Sequence, residues 1–303
     1  MKIAICICTY KRPELLERLL NSLHRIQLGQ LEPSDVRMII VDNYPNGQAR
    51  TVCERSAGRL PIELDFVEER QAGVSFARNR AVAEALRRDA DFVAFLDDDD
   101  LPQPDWLLHL VENQKETRAD IVGSVFPPAV NPDWPQWLRK SPLFDDPKQK
   151  SQTKYGAPSG IGIGSTLISR CLIERLKAEG SVFSSKFGML GCEDADFFAR
   201  AGKLGAIFSQ TEKSIVKRSY EEQRLTVIGL LRDAFRIGNC IRQLLEKYGT
   251  PAQIRQRKIK AFRRVFSGLI AAGLQFFSKT LLVRRLYQVS KELGVIFGYG
   301  GSK

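Results

Sequence analysis

The sequence predicts an α/β protein: a mainly parallel central sheet with flanking helices, followed by a C-terminal region built from helices alone. Three observations lead there. Short Ile- and Val-rich runs alternate with amphipathic helical patterns, the arrangement that builds parallel sheets through strand–helix–strand crossovers. Thr9, Asp42 and Asp97 fall at the ends of such runs, and open parallel sheets bind ligands beyond the carboxyl ends of their strands. From residue 224 onward only helical periodicity is found, and the change in composition near residue 220 sets the expected boundary between domain 1–220 and region 221–303.

Taken in order, residues 3–8 read as a buried first strand, short and rich in Ile. Pro13 suits the first turn of a helix with apolar periodicity over 14–23. A second strand is expected at 36–43 and helical pattern at 47–58. A third, alternating strand follows at 62–67, a helix from Gly73 to about Arg88, and a fourth strand at 91–96 that enters the acidic run Asp97-Asp98-Asp99-Asp100. Pro127, Pro128, Pro132, Trp134, Pro135, Trp137 and Pro142 mark an ordered excursion. A polar loop at 144–158 follows it, and neither reads as a domain linker. Residues 164–180 read as strand then helix, 192–203 as helix and 206–216 as a last strand.

Hydrophobic residues at 43% and charged residues at 27% allow a sizeable core, so disorder is not the default reading. A net charge of +11 points to an anionic partner (nucleic acid, acidic lipid or a phosphorylated substrate), the plain alternative being a basic but inert surface. Within 254–285 lie Arg255, Arg257, Lys258, Lys260, Arg263, Arg264, Lys279, Arg284 and Arg285, with no acid among them. The cysteines at 6, 8, 53, 171, 192 and 240 form no Cys-x-x-Cys pair and no zinc spacing. Cys6 and Cys8, two apart on a strand, share a face and read as small core residues in a reducing compartment. The opening apolar run is too short to span a membrane and no cleavage site follows it, so a cytoplasmic location, or the cytosolic face of a membrane, is expected.

Four adjacent carboxylates at a strand end repel one another unless they are solvated or hold cations, and such oxygen donors suit Mg²⁺ or Mn²⁺. Glu193-Asp194-x-Asp196 opens a predicted helix. There it either favours the helix dipole or supplies a general base to deprotonate a hydroxyl. Arg12, Arg78, Lys217 and Arg224 lie near strand ends or loops, as surface cations or as a clamp for a diphosphate. His24 and His109 sit in helical patterns away from these motifs, which argues against histidine-based triads. No phosphate-binding glycine loop opens the first helix, and Gly160-x-Gly162-x-Gly164 lies in the wrong context for a dinucleotide fingerprint.

Ile7-Cys8-Thr9-Tyr10-Lys11-Arg12-Pro13, Val41-Asp42-Asn43, Gly73-x-x-x-Ala77-Arg78-Asn79, Phe95 to Asp100 with Pro104-x-Trp106-Leu107, and Glu193-Asp194-x-Asp196-Phe197 agree in order and spacing with a known pattern. Across about 1–220 the chain resembles the inverting family 2 glycosyltransferases with the GT-A fold, and among them the bacterial succinoglycan-type polysaccharide glucosyltransferases. The resemblance implies a Rossmann-like nucleotide-binding domain over 1–220 and transfer from a nucleotide sugar, expected to be a UDP-sugar, to a glycan or lipid-linked glycan in surface polysaccharide biosynthesis. It also implies a divalent metal, Mn²⁺ or Mg²⁺. Thr9, Tyr10 and Arg12 would lie beside the nucleotide. Asp42 would bond the base, Arg78 would reach base or phosphate, and Asp98 would lie near the ribose. Asp97 and Asp99 would be the two metal-site acids, Asp194 the catalytic base, and Asp100 a solvated neighbour. Gly164, Ser165, Glu193 and Trp106 would line the donor and acceptor pocket.

Two departures from the family's pattern shape this reading. Val216-Lys217-Arg218 has no histidine where many relatives carry one, which leaves Lys217 to neutralise the diphosphate. The Gln-x-x-Arg-Trp motif of processive synthases is absent, since Gln223-Arg224 is followed by Leu225; one sugar per encounter is expected, with Arg224 as a phosphate clamp. The basic C-terminal segment interleaves Phe262, Val265, Phe266, Leu269, Ile270, Leu274, Phe276 and Phe277 with its cations. The apolar stretch 265–283 is interrupted by Gln275 and Lys279. It reads as an amphipathic helix on an anionic membrane surface, or as a helical lid. A nucleotidyltransferase would want a glycine-rich loop after the first strand. A nucleic-acid-binding module would want aromatics on a sheet face, so no nucleic-acid partner is expected.

Overall fold

The first strands owe their place to apolar residues on both faces. The computed structural model describes residues 1–127, 130–144, 161–187, 191–275 and 277–298. In β1 (Ile3–Thr9), Ile3, Ile5 and Ile7 face one hydrophobic layer while Ala4 and Cys6 face the other, with Cys8 beside them. This double-sided burial is what a central parallel strand requires. Pro13 starts α1 (Pro13–Leu23), whose Leu16, Leu19, Leu20 and Leu23 complete the first layer.

The alternation continues through β2 (Val36–Asp42), α2 (Gln48–Ala57), β3 (Glu63–Glu68), α3 (Val74–Arg87) and β4 (Phe92–Asp97). Next come β5 (Asp100–Pro102), α4 (Trp106–Thr117), β6 (Ile121–Val125), α5 (Gln136–Arg139), β7 (Thr166–Ser169), α6 (Arg170–Ala178), α7 (Glu193–Lys203) and β8 (Phe208–Arg218). The helices α8 (Val227–Tyr248), α9 (Pro251–Leu274) and α10 (Lys279–Phe297) follow.

The eight strands run in the order β3-β2-β1-β4-β7-β6-β8-β5. β1, β2, β3 and β4 are mutually parallel where they pair, β7 runs antiparallel to β4 and β6, β8 is parallel to β6, and β5 is antiparallel to β8. Register aligns Thr9 with Asp42 and Cys8 with Asp97, so the polar ends of β1, β2 and β4 share one edge, as the sequence predicts. β5 and β6 were not expected. β5 is a three-residue strand ending in proline, and the partners of β6 lie more than 40 residues further along the chain.

A chain of buried hydroxyls lies beneath that edge. Ser165 Oγ donates to Ser124 Oγ at 2.5 Å, Ser124 and Ser214 meet at 2.6 Å, and Ser214 Oγ donates to the Trp106 carbonyl at 2.9 Å.

The chain divides into two units. Among the described residues the first holds 1–127, 161–187 and 193–219, and the second holds 130–144, 191–192 and 220–298. The Trp-rich excursion thus belongs with the helices: Leu138 and Phe144 share a core with Leu230, Ala234, Val283 and Tyr287. Pro128, the expected loop from 145 on, Gly160 and Phe276 lie outside the described residues. No described helix is long and apolar enough to cross a membrane.

Candidate active site

The shared strand edge collects charge. Asp98 follows β4 and is nearly sealed from solvent. Its carboxylate accepts from Thr9 Oγ1 at 3.0 Å and from Arg12 Nη1 at 3.1 Å. One side chain thereby ties the end of β4 to the loop after β1, where Lys11 adopts a left-handed φ of 58°. Burial pushes the Asp98 carboxyl up to about 6, against the lowering pull of Arg12.

Asp97 sits between two guanidiniums: Oδ1 accepts from Arg78 at 3.1 Å and Oδ2 from Arg218 at 3.3 Å. Asp100 is fully buried, bonded to Arg218 at 3.1 Å and to the Asp97 amide at 2.9 Å, and burial raises its pKa to about 8. Asp99 lies 3.8 Å from Arg218. The backbone of Gly164 closes over this cluster; a Cβ there would collide with the Asp97 carboxylate and meet Asp100 Oδ2 at 3.0 Å.

Arg78, on α3, spans two acidic motifs. Its buried guanidinium bonds Asp97, Glu193 (2.8 Å) and Asp194. A charge out of water is tolerated only when opposite charges surround it. Burial alone would raise Asp194, yet Arg78 and a 3.4 Å bond from the Ile163 amide hold it below its ordinary value. The Asp194 side chain remains 36% exposed. Its neighbour Glu193 is pushed up to about 8 by burial and by the Asp194 charge, and its Oε2 is buried without a partner.

Thr9, Tyr10, Arg12, Asn43, Arg78 and Asp97 to Asp99 line one cleft of about 430 Å³, within the range of small-molecule sites. Tyr10 and Tyr44 meet edge to face at 5.5 Å at this cleft, with Lys11 Nζ 4.2 Å above the Tyr44 ring. Asn43 shapes the far wall: its amide bonds the carbonyls of Glu69 and Gln71, and its Oδ1 accepts from the Gly73 amide. One oxygen from each of Asp97, Asp99 and Asp100 lies within 4.8 Å of the others. These hard donors fit Mg²⁺ or Mn²⁺.

Several expected positions differ in the structure. Asp100 is no solvated neighbour; β8 lays Arg218 across it and seals it. Lys217 points to solvent, because side chains alternate along a strand and Arg218 takes the inward position. Trp106 is fully buried in the core rather than lining a pocket, and Ser165 is turned into the hydroxyl chain. Arg78 lines the cleft and bonds carboxylates of both acidic motifs. Asp42 is 2% exposed and accepts from the Tyr44 amide at 2.9 Å, while its Oδ2 has no partner. Arg224 belongs to the second unit, 3.8 Å from Asp233. Sequence reading missed Arg218 and Asn43; the signal for Arg218 was the strand alternation itself.

Comparison with known proteins agrees with this geometry. The description "Glycosyl transferase family 2" matches residues 4–175. The chain is 29% identical over 245 residues to the succinoglycan biosynthesis protein ExoM of Rhizobium meliloti (strain 1021), covering 81% of this chain and 75% of that one. The mannosyltransferase PcManGT from Pyrobaculum calidifontis, solved with GDP-Man and Mn²⁺, superposes with a TM-score of 0.65 at 15% identity, covering 98% of this chain and 87% of that one. S. aureus TarS 1-349 with UDP-GlcNAc gives 0.51 at 15% identity, covering 97% and 92%. With a GT-A fold and a family match over more than half its length, the chain belongs to glycosyl transferase family 2.

Proposed function

We propose that the chain transfers one sugar per encounter from a nucleotide sugar, a UDP-sugar in the first instance, to a hydroxyl of a glycan or lipid-linked glycan, with inversion. The observation that carries this is the Arg78 bridge, which joins the acidic run after β4 to the acidic start of α7 beside one cleft. Likeness to a succinoglycan biosynthesis protein supports a role in polysaccharide assembly. Neighbours solved with UDP-GlcNAc and GDP-Man support a nucleotide-sugar donor.

In this reading Asp194 takes the proton of the acceptor hydroxyl. The oxygen attacks the anomeric carbon from the face opposite the diphosphate, whose bond breaks with its electron pair. Arg78 keeps Asp194 ionised and aimed. Asp97, Asp99 and Asp100 would hold the divalent cation, which when bound supplies Lewis-acid stabilisation of the charge developing on the leaving diphosphate. Arg218 adds fixed positive charge at the same carboxylates. Thr9, Arg12 and Asp98 shape the nucleotide side of the cleft, and Asp42 at the end of β2 is the residue that would recognise the base.

The test is hydrolysis of a panel of sugar nucleotides with and without Mn²⁺, followed by NMR of the transferred sugar. Release of nucleoside diphosphate from one donor class and an inverted anomer are expected. Retention of configuration, or no nucleotide release from any donor, would overturn the reading.

A further inference from the structure

The helix α9 is mounted with its large apolar residues outward. Its inward side carries small residues, Ala261, Gly268 and Ala272, and a Cβ on Gly268 would meet Val289 of α10 at 2.7 Å. Its inward cations, Arg257 and Arg264, pair with the buried Glu292 of α10 at 2.6 and 2.9 Å. The opposite side carries Ile259, Phe262, Phe266, Leu269, Ile270 and Leu274, from 46% to 74% exposed. At helical spacing these six fall within an arc of about 140°, one continuous stripe. Scattered exposed apolar residues are ordinary, but a contiguous stripe marks an interaction surface.

The charge around the stripe indicates the occupant. Arg255 and Arg263 lie within it, Lys258 flanks it, and no acid occurs between Glu246 and Glu292. Two copies meeting through this face would bring like charges together with nothing to offset them. No described helix is apolar enough to cross a bilayer, so the helix would lie in the plane of its partner. We propose that this face of α9 docks on an anionic phospholipid surface, with Phe262, Phe266, Ile270 and Leu274 among the acyl chains and Arg255, Lys258 and Arg263 at the headgroup phosphates.

The experiment is flotation of the full chain with phosphatidylcholine vesicles, with and without phosphatidylglycerol. The wild type should float with the anionic vesicles only. The triple variant Phe266→Ser/Ile270→Ser/Leu274→Ser should stay below, with an unchanged thermal melt. Replacing Arg255, Lys258 and Arg263 by Gln should weaken vesicle binding by roughly fivefold per cation, about a hundredfold together. A second measurement covers loss of folding in the triple variant: Phe266→Trp should be quenched by brominated lipid. Equal flotation of wild type and triple variant, no wild-type flotation, absence of quenching, or dimerisation through this face without lipid would each overturn the proposal. Vesicle binding is read without any transfer reaction, so its failure leaves the assigned chemistry untouched, and the reverse holds.

Discussion

The helices α1 and α9 are both amphipathic and are mounted in opposite senses. α1 buries Leu16, Leu19, Leu20 and Leu23 against the sheet; α9 buries alanines and glycine and exposes its phenylalanines and leucines. Periodicity establishes that a helix has two faces, but it does not say which one water sees. What decides is the surface available to each. The open Ile-rich face of β1 accepts large side chains, whereas α10 approaches α9 so closely at Gly268 that only small ones fit. In the first unit, burial, stability and chemistry therefore coincide. On the outer face of α9 they come apart.

That contrast can be attacked from its strongest point. Asp194→Asn removes the base but keeps the shape, so transfer should fall by about 10²–10⁴ with little change in the melt; near-normal turnover in a steady-state assay would break the link between the acidic motifs and function. Arg78→Met strands Asp97, Glu193 and Asp194 around an apolar side chain. Denaturant titration should show a loss of about 3–5 kcal/mol, and a loss under 1 kcal/mol would mean the bridge is not a structural member. Leu16→Ala should cost about 2–5 kcal/mol while Phe266→Ser stays within about 0.5 kcal/mol, by the same titration. Equal costs would abolish the distinction between the two helices.

The smallest effect is a slope. The folded Glu193 carboxyl titrates near 8 against an ordinary 4.5, so the native state holds its proton through that interval. The stability it contributes is present below pH 4.5 and is lost as pH rises through 8. Glu193→Gln should accordingly show a shallower fall in Tm from pH 5 to pH 8 than the wild type, measured by scanning calorimetry.

The strand ends were legible because each apolar run stops at a polar residue, and parallel pairing then brings Thr9, Asp42 and Asp97 to one edge. The acidic start of α7 was legible from Glu193 and Asp194 beside a helical pattern. What could not be read was which cation serves which acid. Arg218 reaches Asp100 across 118 residues, and only the inward phase of β8 selects it over Lys217. Trp106 sits in a motif beside the acidic run, and its burial depends on α4 packing against β6 and β8, which no local pattern conveys. β6 escaped notice because five apolar and small residues among turn signals resemble a loop until β7 and β8 flank them.

The hydroxyl chain under the site has a direction. A carbonyl can only accept, so the Trp106 oxygen takes the Ser214 proton; Ser124 must then donate to Ser214, and Ser165 to Ser124. All three protons point one way, away from Gly164 and the carboxylates it covers. The chain is therefore polar in the manner of a one-way queue. Removing Ser165 at its tail costs only a donor, whereas removing Ser214 at its head leaves the Ser124 hydroxyl facing a gap. Positions of identical chemistry in one row thus differ in what they tolerate, with Ser165 the most replaceable because no hydroxyl donates to it.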